Sequence, residues 1–102
     1  MPTISKSDKL LTVINVFSVR PDKQAQLLDL LKKATETSVR HAPGFVSASL
    51  HRSLDGTKVT MYAQWRRLED YQAMRRIPTP FLEQAMSFAT FEPGLYEVHE
   101  TF

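Results

Sequence analysis

"VSASLHRSLDGTKVTMYAQW", residues 46–65, decides the fold. Two runs of strand-forming residues flank Asp55-Gly56, a strong short-range hairpin signal. Taking Asp55 and Gly56 as the loop sets Leu54 opposite Thr57 and fixes every pair beyond. Leu50 then faces Met61, Ala48 faces Ala63 and Val46 faces Trp65, all on one apolar surface. The other surface pairs His51 with Thr60, Ser49 with Tyr62 and Ser47 with Gln64, a mostly polar set. A slip of one residue would mix the two surfaces, so the pattern itself specifies the register. One face of the hairpin therefore needs cover from the rest of the chain.

The flanking sequence supplies it. Residues 10–18, "LLTVINVFS", read as a first strand. Pro21 suits the first turn of a helix, where its missing N–H costs nothing. Leu27, Leu28, Leu31, Ala34, Thr35 and Ser38 then recur at helical spacing over about five turns. "HAPGF" ends that helix, with Gly44 as a natural terminator. Beyond Trp65, the spacing of Leu68, Tyr71 and Met74 predicts a short helix. "IPTP" breaks it, and "FLEQAMSFA" reads as a further helical piece. "FEPG" reads as a turn and "LYEVHETF" as a last strand. The order β-α-β-β-α-β is that of an α+β, ferredoxin-like domain, an antiparallel four-stranded sheet with helices on one face. We assign it to residues 10–102, after a polar extension over residues 1–9.

At 102 residues this is one domain, near the lower end of the size that buries a self-sufficient core. With 42% hydrophobic and 24% charged residues it reads as globular rather than disordered. The net charge of +2 comes from scattered, mostly offset residues and argues against a nucleic-acid partner. Without cysteine there is neither a disulfide nor a thiolate zinc site. The opening "MPTISKSDKLLTVINV" has no continuous apolar region, and no stretch approaches membrane-spanning length, so the expectation is a cytoplasmic protein with no membrane partner. The sheet face away from the helices is neither fully polar nor fully apolar. Such a face suits a homodimer packed sheet to sheet through Ser49, Thr60 and Tyr62.

Trp65 is the single tryptophan, and the register turns it toward the helix-covered side with Met61 and Ala63. Tyr71 starts the helix lying over that side. The facing pair Ala48 and Ala63 makes a low floor, with Leu50, Met74 and Phe88 around it. Small facing large is how ordinary cores interdigitate. It is also how a chamber for an aromatic ligand is made. Packing alone leaves both readings open.

The stretches "INVFSVRPDK", "GFVSASLHRSLDGTKVTMYAQWRRLEDYQAM" and "FEPGLYEVHETF" resemble the antibiotic biosynthesis monooxygenase family. The resemblance covers nearly the whole chain, and "YAQW", "LEDYQAM" and "FEPGLYEV" carry it together. It implies a dimeric α+β barrel with its chamber between sheet and helices. Polyketide-tailoring members oxidise anthrone-type phenols to quinones with molecular oxygen, using no metal, haem or flavin, so the resemblance implies no cofactor here. It gives Trp65 and Tyr71 catalytic roles and makes Met61, Ala63, Ala48, Leu50, Met74 and Phe88 the substrate-binding set.

The polyketide-oxidising members carry an asparagine four residues before the tryptophan. In this sequence that position is Met61, an apolar thioether in place of an amide. Asn15, in the strand where haem-degrading relatives carry a functional asparagine, is the catalytic replacement. The alternative is an amide satisfied by backbone or by the bare face. Haem degradation itself requires a histidine at a position occupied by Arg75, and His41, His51 and His99 show no ligand spacing. Arg66, Arg75 and Arg76 are nearby cations that could favour a bound anion, though solvated surface charges are the ordinary reading of such residues. A non-catalytic dimeric binding or accessory protein is the second class of function, favoured by Met61.

Overall fold

The computed structural model describes residues 9–102; the polar extension lies outside the described residues except for Lys9. The described residues form five strands and three helices in the order β-α-β-β-α-α-β-β. Strand β1 runs Leu11–Val19, β2 Phe45–Arg52, β3 Lys58–Trp65, β4 Ala89–Glu92 and β5 Leu95–Tyr96. Helix α1 runs Gln24–Thr37, α2 Leu68–Arg75 and α3 Pro80–Met86. The sheet is antiparallel in the order β2-β3-β1-β4, with β5 also on β1. This is the α+β, ferredoxin-like arrangement.

Hairpin pairing follows the pattern expected from composition, with two local departures. Leu50 faces Met61, Ala48 faces Ala63, His51 faces Thr60, Ser49 faces Tyr62 and Ser47 faces Gln64. Near its start the register shifts, and Phe45, not Val46, faces Trp65. Val46 is the extra residue of a β-bulge and is left 38% exposed. At the other end the loop is longer than two residues. The Ser53 amide N–H donates to the Lys58 carbonyl at 3.0 Å, and Gly56 takes a positive φ of 81°. Leu54 therefore sits at the loop tip, fully exposed, rather than on the covered face.

The apolar face of the sheet is closed by α1. Leu27, Leu31 and Ala34 are buried at the expected spacing, and Leu30 joins them. Each fully buried aliphatic contributes roughly 1.5–3 kcal/mol relative to exposure. Gln24 pins the helix start to the hairpin end, its amide donating to the carbonyls of Ser53 and Lys58 at 3.1 and 3.0 Å. Pro21 opens the 3₁₀ turn Pro21–Lys23 that leads into α1.

The closing strand lies earlier than the sequence reading places it. "FEPG" is not a turn after a helix: Phe91 is inside β4, stacked on Phe17 at 4.9 Å. Val16 faces Glu92 and Thr12 faces Tyr96, with the Ile14 N–H donating to Gly94 at 2.9 Å between them. One register thus runs through both β4 and β5. Pro93 interrupts it because proline has no N–H to give the ladder. Residues 97–102 are not strand.

Two buried clusters result. One surrounds Phe17, Leu27, Leu30 and Val59 at the hairpin-loop end. The other holds Val13, Met61, Ala63, Trp65 and Tyr71 under α2. Among the described residues no helix is long and apolar enough to cross a membrane.

Candidate active site

A cavity of about 70 Å³ lies between the second cluster and the helices. Its floor is the facing strand pair β1 and β3. Val13 faces Ala63, and Asn15 faces Met61. Its far wall is Trp65, 1% exposed, which meets Phe45 and Tyr71 edge-on at 5.5 and 5.8 Å. Its roof is α2, which presents Tyr71, Met74 and Arg75, followed by Ile77.

Gly44 and the α2 start explain why Tyr71 sits so low. Gly44 adopts φ 85° and its carbonyl accepts the Arg66 N–H at 2.8 Å, bringing the end of β3 against the start of β2. A side chain at Gly44 would collide with the Asp70 carboxylate. Asp70 in turn pairs with Arg67 at 3.4 Å across the first turn of α2, where its charge also suits the helix dipole. Tyr71, the next residue, is thereby carried down to 3% exposure.

Polar groups in the cavity are few, and Thr35 and Thr79 spend theirs on backbone partners. The Asn15 amide oxygen is buried without a hydrogen-bond partner, so the amide is neither satisfied by backbone nor turned to the bare face. An orphaned buried carbonyl costs about 1–3 kcal/mol. Strand register sets it directly across from Met61. The amide absent from Met61 is therefore offered from the neighbouring strand, at the same level of the sheet. Trp65 packs against Val13, Met61 and Ala63 and the rings of Phe45 and Tyr71, and its indole N–H has no hydrogen bond among the described residues. Tyr71 accepts a hydrogen bond from Arg75 Nη1 at 2.9 Å, so its own proton remains to donate.

Of the residues singled out from sequence, Trp65, Tyr71, Asn15, Met61, Ala63 and Met74 line this one cavity. Ala48 and Leu50 do not; with Met61 they border a separate groove facing α1. Phe88 lies at the opposite end of the sheet, packed on the first cluster. Phe91 and Arg75 are among the lining residues outside the candidate set. Phe91 was read into a turn, and no local signal corrects that. Arg75 was read as a surface charge, yet it stands four residues after Tyr71, on the same helix face. Arg66 and Arg76 do not line the cavity. Among the described residues no group of three His, Asp or Glu could hold a metal ion.

An apolar chamber between sheet and helices, with a few polar groups at its edge, is the kind of place small-molecule sites occupy. Residues 10–79 match the family described as Antibiotic biosynthesis monooxygenase, and the chain belongs to that family. It is 45% identical to the tetracenomycin-F1 monooxygenase of Streptomyces glaucescens over 104 residues, covering 100% of this chain and 93% of that protein. Solved structures agree on the fold. SnoaB of Streptomyces nogalater, a cofactor-independent oxygenase, superposes with a TM-score of 0.78 at 23% identity over 91% of this chain and 96% of that one. The ActVA-Orf6 monooxygenase of Streptomyces coelicolor, in complex with nanaomycin D, gives 0.78 at 24% identity over 93% and 92%. An anthrone oxidase-like protein gives 0.84 at 27% identity over 94% of this chain but 42% of that one.

Proposed function

We propose that the chain is a cofactor-independent monooxygenase that oxidises an electron-rich polycyclic phenol, an anthrone-like polyketide intermediate, to a quinone with molecular oxygen. The relationship to the tetracenomycin-F1 monooxygenase supports the reaction class. The observation that carries the reading into the site is the unpartnered Asn15 amide, facing Met61 inside an apolar cavity bounded by Trp65 and Tyr71. It speaks against the alternative of a non-catalytic binding protein, because it restores beside Met61 the amide that position lacks.

The chemistry requires little of the protein. Reaction of triplet oxygen with a closed-shell phenol is spin-forbidden, whereas a phenolate or carbanion can transfer one electron to oxygen and the radical pair can recombine. In the net reaction a ring CH₂ becomes C=O; one oxygen atom enters the ring and the other leaves as water. The protein must favour the anion, hold it and exclude bulk water. In this reading the Trp65 indole N–H and the Asn15 NH₂ donate to a developing oxyanion, the Asn15 carbonyl accepts from a ring hydroxyl, and Tyr71 fixes or relays a hydroxyl proton. Met61, Ala63 and Met74 supply apolar contact.

The cavity of about 70 Å³ is far below the roughly 300–1,000 Å³ usual for ligand pockets. Substrate entry therefore requires Met74, Arg75 and Ile77 to swing outward; all are half-buried or exposed. The working unit we propose is a homodimer packed through the face of Ser49, Thr60 and Tyr62.

Oxygen uptake against a panel of anthrones and naphthols tests the function, with wild type run beside Trp65→Phe. The substitution keeps most of the bulk and deletes the N–H, so it costs under about 1.5 kcal/mol of stability. Turnover should fall by about 10²-fold or more if the indole stabilises an oxyanion. Wild-type silence across the panel would favour the binding protein. Unchanged uptake in the variant would keep the enzyme and remove that role from Trp65.

A further inference from the structure

Among the described residues no acidic side chain pairs with Arg75. The described ion pairs join Arg20 to Asp22, Lys32 to Glu36, Lys33 to Asp29 and Arg67 to Asp70, and none includes Arg75. Its guanidinium instead donates one hydrogen bond to the Tyr71 hydroxyl at 2.9 Å and lies over the Phe91 ring at 4.9 Å. Both contacts draw it inward over the cavity, and Arg75 is among the lining residues. A guanidinium has five N–H donors in a planar fork, and here one is spent on a neutral oxygen. The remaining donors, beside an apolar chamber, fit two oxygens of one planar anion better than any single-point partner.

The polar ends of the cavity also lie apart in kind. Asn15, on the strand floor, is neutral and orphaned; Arg75, on the helical roof, is charged and at the solvent side. A ligand that satisfies both must be amphiphilic end to end, with an oxygen-bearing ring inward and an anionic group outward. Resting on the reading of this cavity as the oxygenase site, we infer that Arg75 is its substrate-recognition residue and that the substrate is a polycyclic phenol bearing a carboxylate seated on Arg75. The carboxylate takes the guanidinium away from Tyr71 and frees that hydroxyl for the ring. Recognition and the opening of the roof are then one movement, since the residue that closes the cavity is the one the substrate engages.

Binding can be read without turnover, because Trp65 is the single tryptophan and lies in the cavity wall. Anthraquinone-2-carboxylate and anthraquinone-2-carboxamide have nearly the same shape and differ in charge; neither can be oxidised further at the ring. Quenching of Trp65 emission should show the acid binding wild type about tenfold or more tightly than the amide, a preference that weakens with salt. Arg75→Gln should abolish the preference, Arg75→Lys should keep part of it, and Arg76→Gln, outside the cavity, should keep all of it. Equal binding of acid and amide by wild type overturns the inference, as does binding of neither. A preference that survives Arg75→Gln, or is lost equally in Arg76→Gln, overturns it as well. Oxygen uptake is measured separately: an intact acid preference with no oxidation would retain the role of Arg75 and discard the oxygenase reading.

Discussion

At the scale of one side chain, the proposed role of Asn15 rests on its unpartnered amide oxygen. In a strand of apolar neighbours, a buried amide oxygen with no partner is a stability defect unless a ligand completes it. Asn15→Leu has similar volume and removes the orphaned carbonyl. It should leave the protein as stable or more stable, by up to about 1–3 kcal/mol, while oxidation falls by about 10²-fold or more. Chemical denaturation and oxygen uptake on the same preparation check both halves. A loss of stability together with activity would mean the amide is structural. Trade of this kind, stability gained for function lost, is the usual signature of a site residue.

At the scale of elements, two glycine-dependent joints position the site. Gly44 occupies a left-handed φ of 85° and admits the Asp70 carboxylate against its backbone. Gly44→Ala forces both a strained φ and a shift of the first turn of α2, so it should cost about 1–3 kcal/mol. Tyr71 rides on that turn, and near-ultraviolet circular dichroism should change along with thermal stability. An unchanged aromatic signal would show that α2 is held by its other contacts. The hairpin loop offers a pH test. Hydrogen bonds from the Thr57 backbone N–H, the Thr57 hydroxyl and the Ser53 hydroxyl lower the Asp55 pKa to about 2 from 3.8. A depressed carboxylate stabilises above its unfolded pKa and loses that contribution as pH falls through the folded value. Amide exchange at Thr57 and Lys58 should therefore quicken between about pH 4 and pH 2 in wild type. In Asp55→Asn, which has no carboxylate to protonate, the step across that window should be absent.

At the scale of the whole molecule, the helix-free face of the sheet is the open question of assembly. Ile14, Val16, Thr60 and Tyr62 are only half-buried there, and the Tyr62 hydroxyl and Thr12 Oγ1 are buried without partners. A second copy packed on this face would cover apolar and polar groups together. Light scattering at micromolar concentration should give twice the chain mass of 11.7 kDa, and Val16→Glu should reduce it. A stable monomer in the wild type would remove the proposed interface.

Period-two alternation around Asp55-Gly56 and helical spacing in "QAQLLDLLKKA" are local patterns set by side-chain geometry, so they determined the hairpin faces, α1 and the α+β order before any contact was known. Trp65, Tyr71 and Asn15 are named from the family resemblance, whose motifs are likewise written in one dimension. The bulge at Val46, the early start of the last strand at Ala89 and the isolation of Ala48, Leu50 and Phe88 from the cavity were not legible. Each depends on how one element meets another far away in sequence. Phe91 enters β4 because Phe17 on β1 offers it a ring to stack on, and Pro93 breaks the ladder only where that pairing has already set the register. Arg75 bends inward because Tyr71 and Phe91, neighbours only after folding, give its guanidinium an acceptor and a ring face. Sequence alone named the candidate residues; tertiary packing decided which of them share a cavity, since convergence at a point is a property of distances between elements and not of the order along the chain.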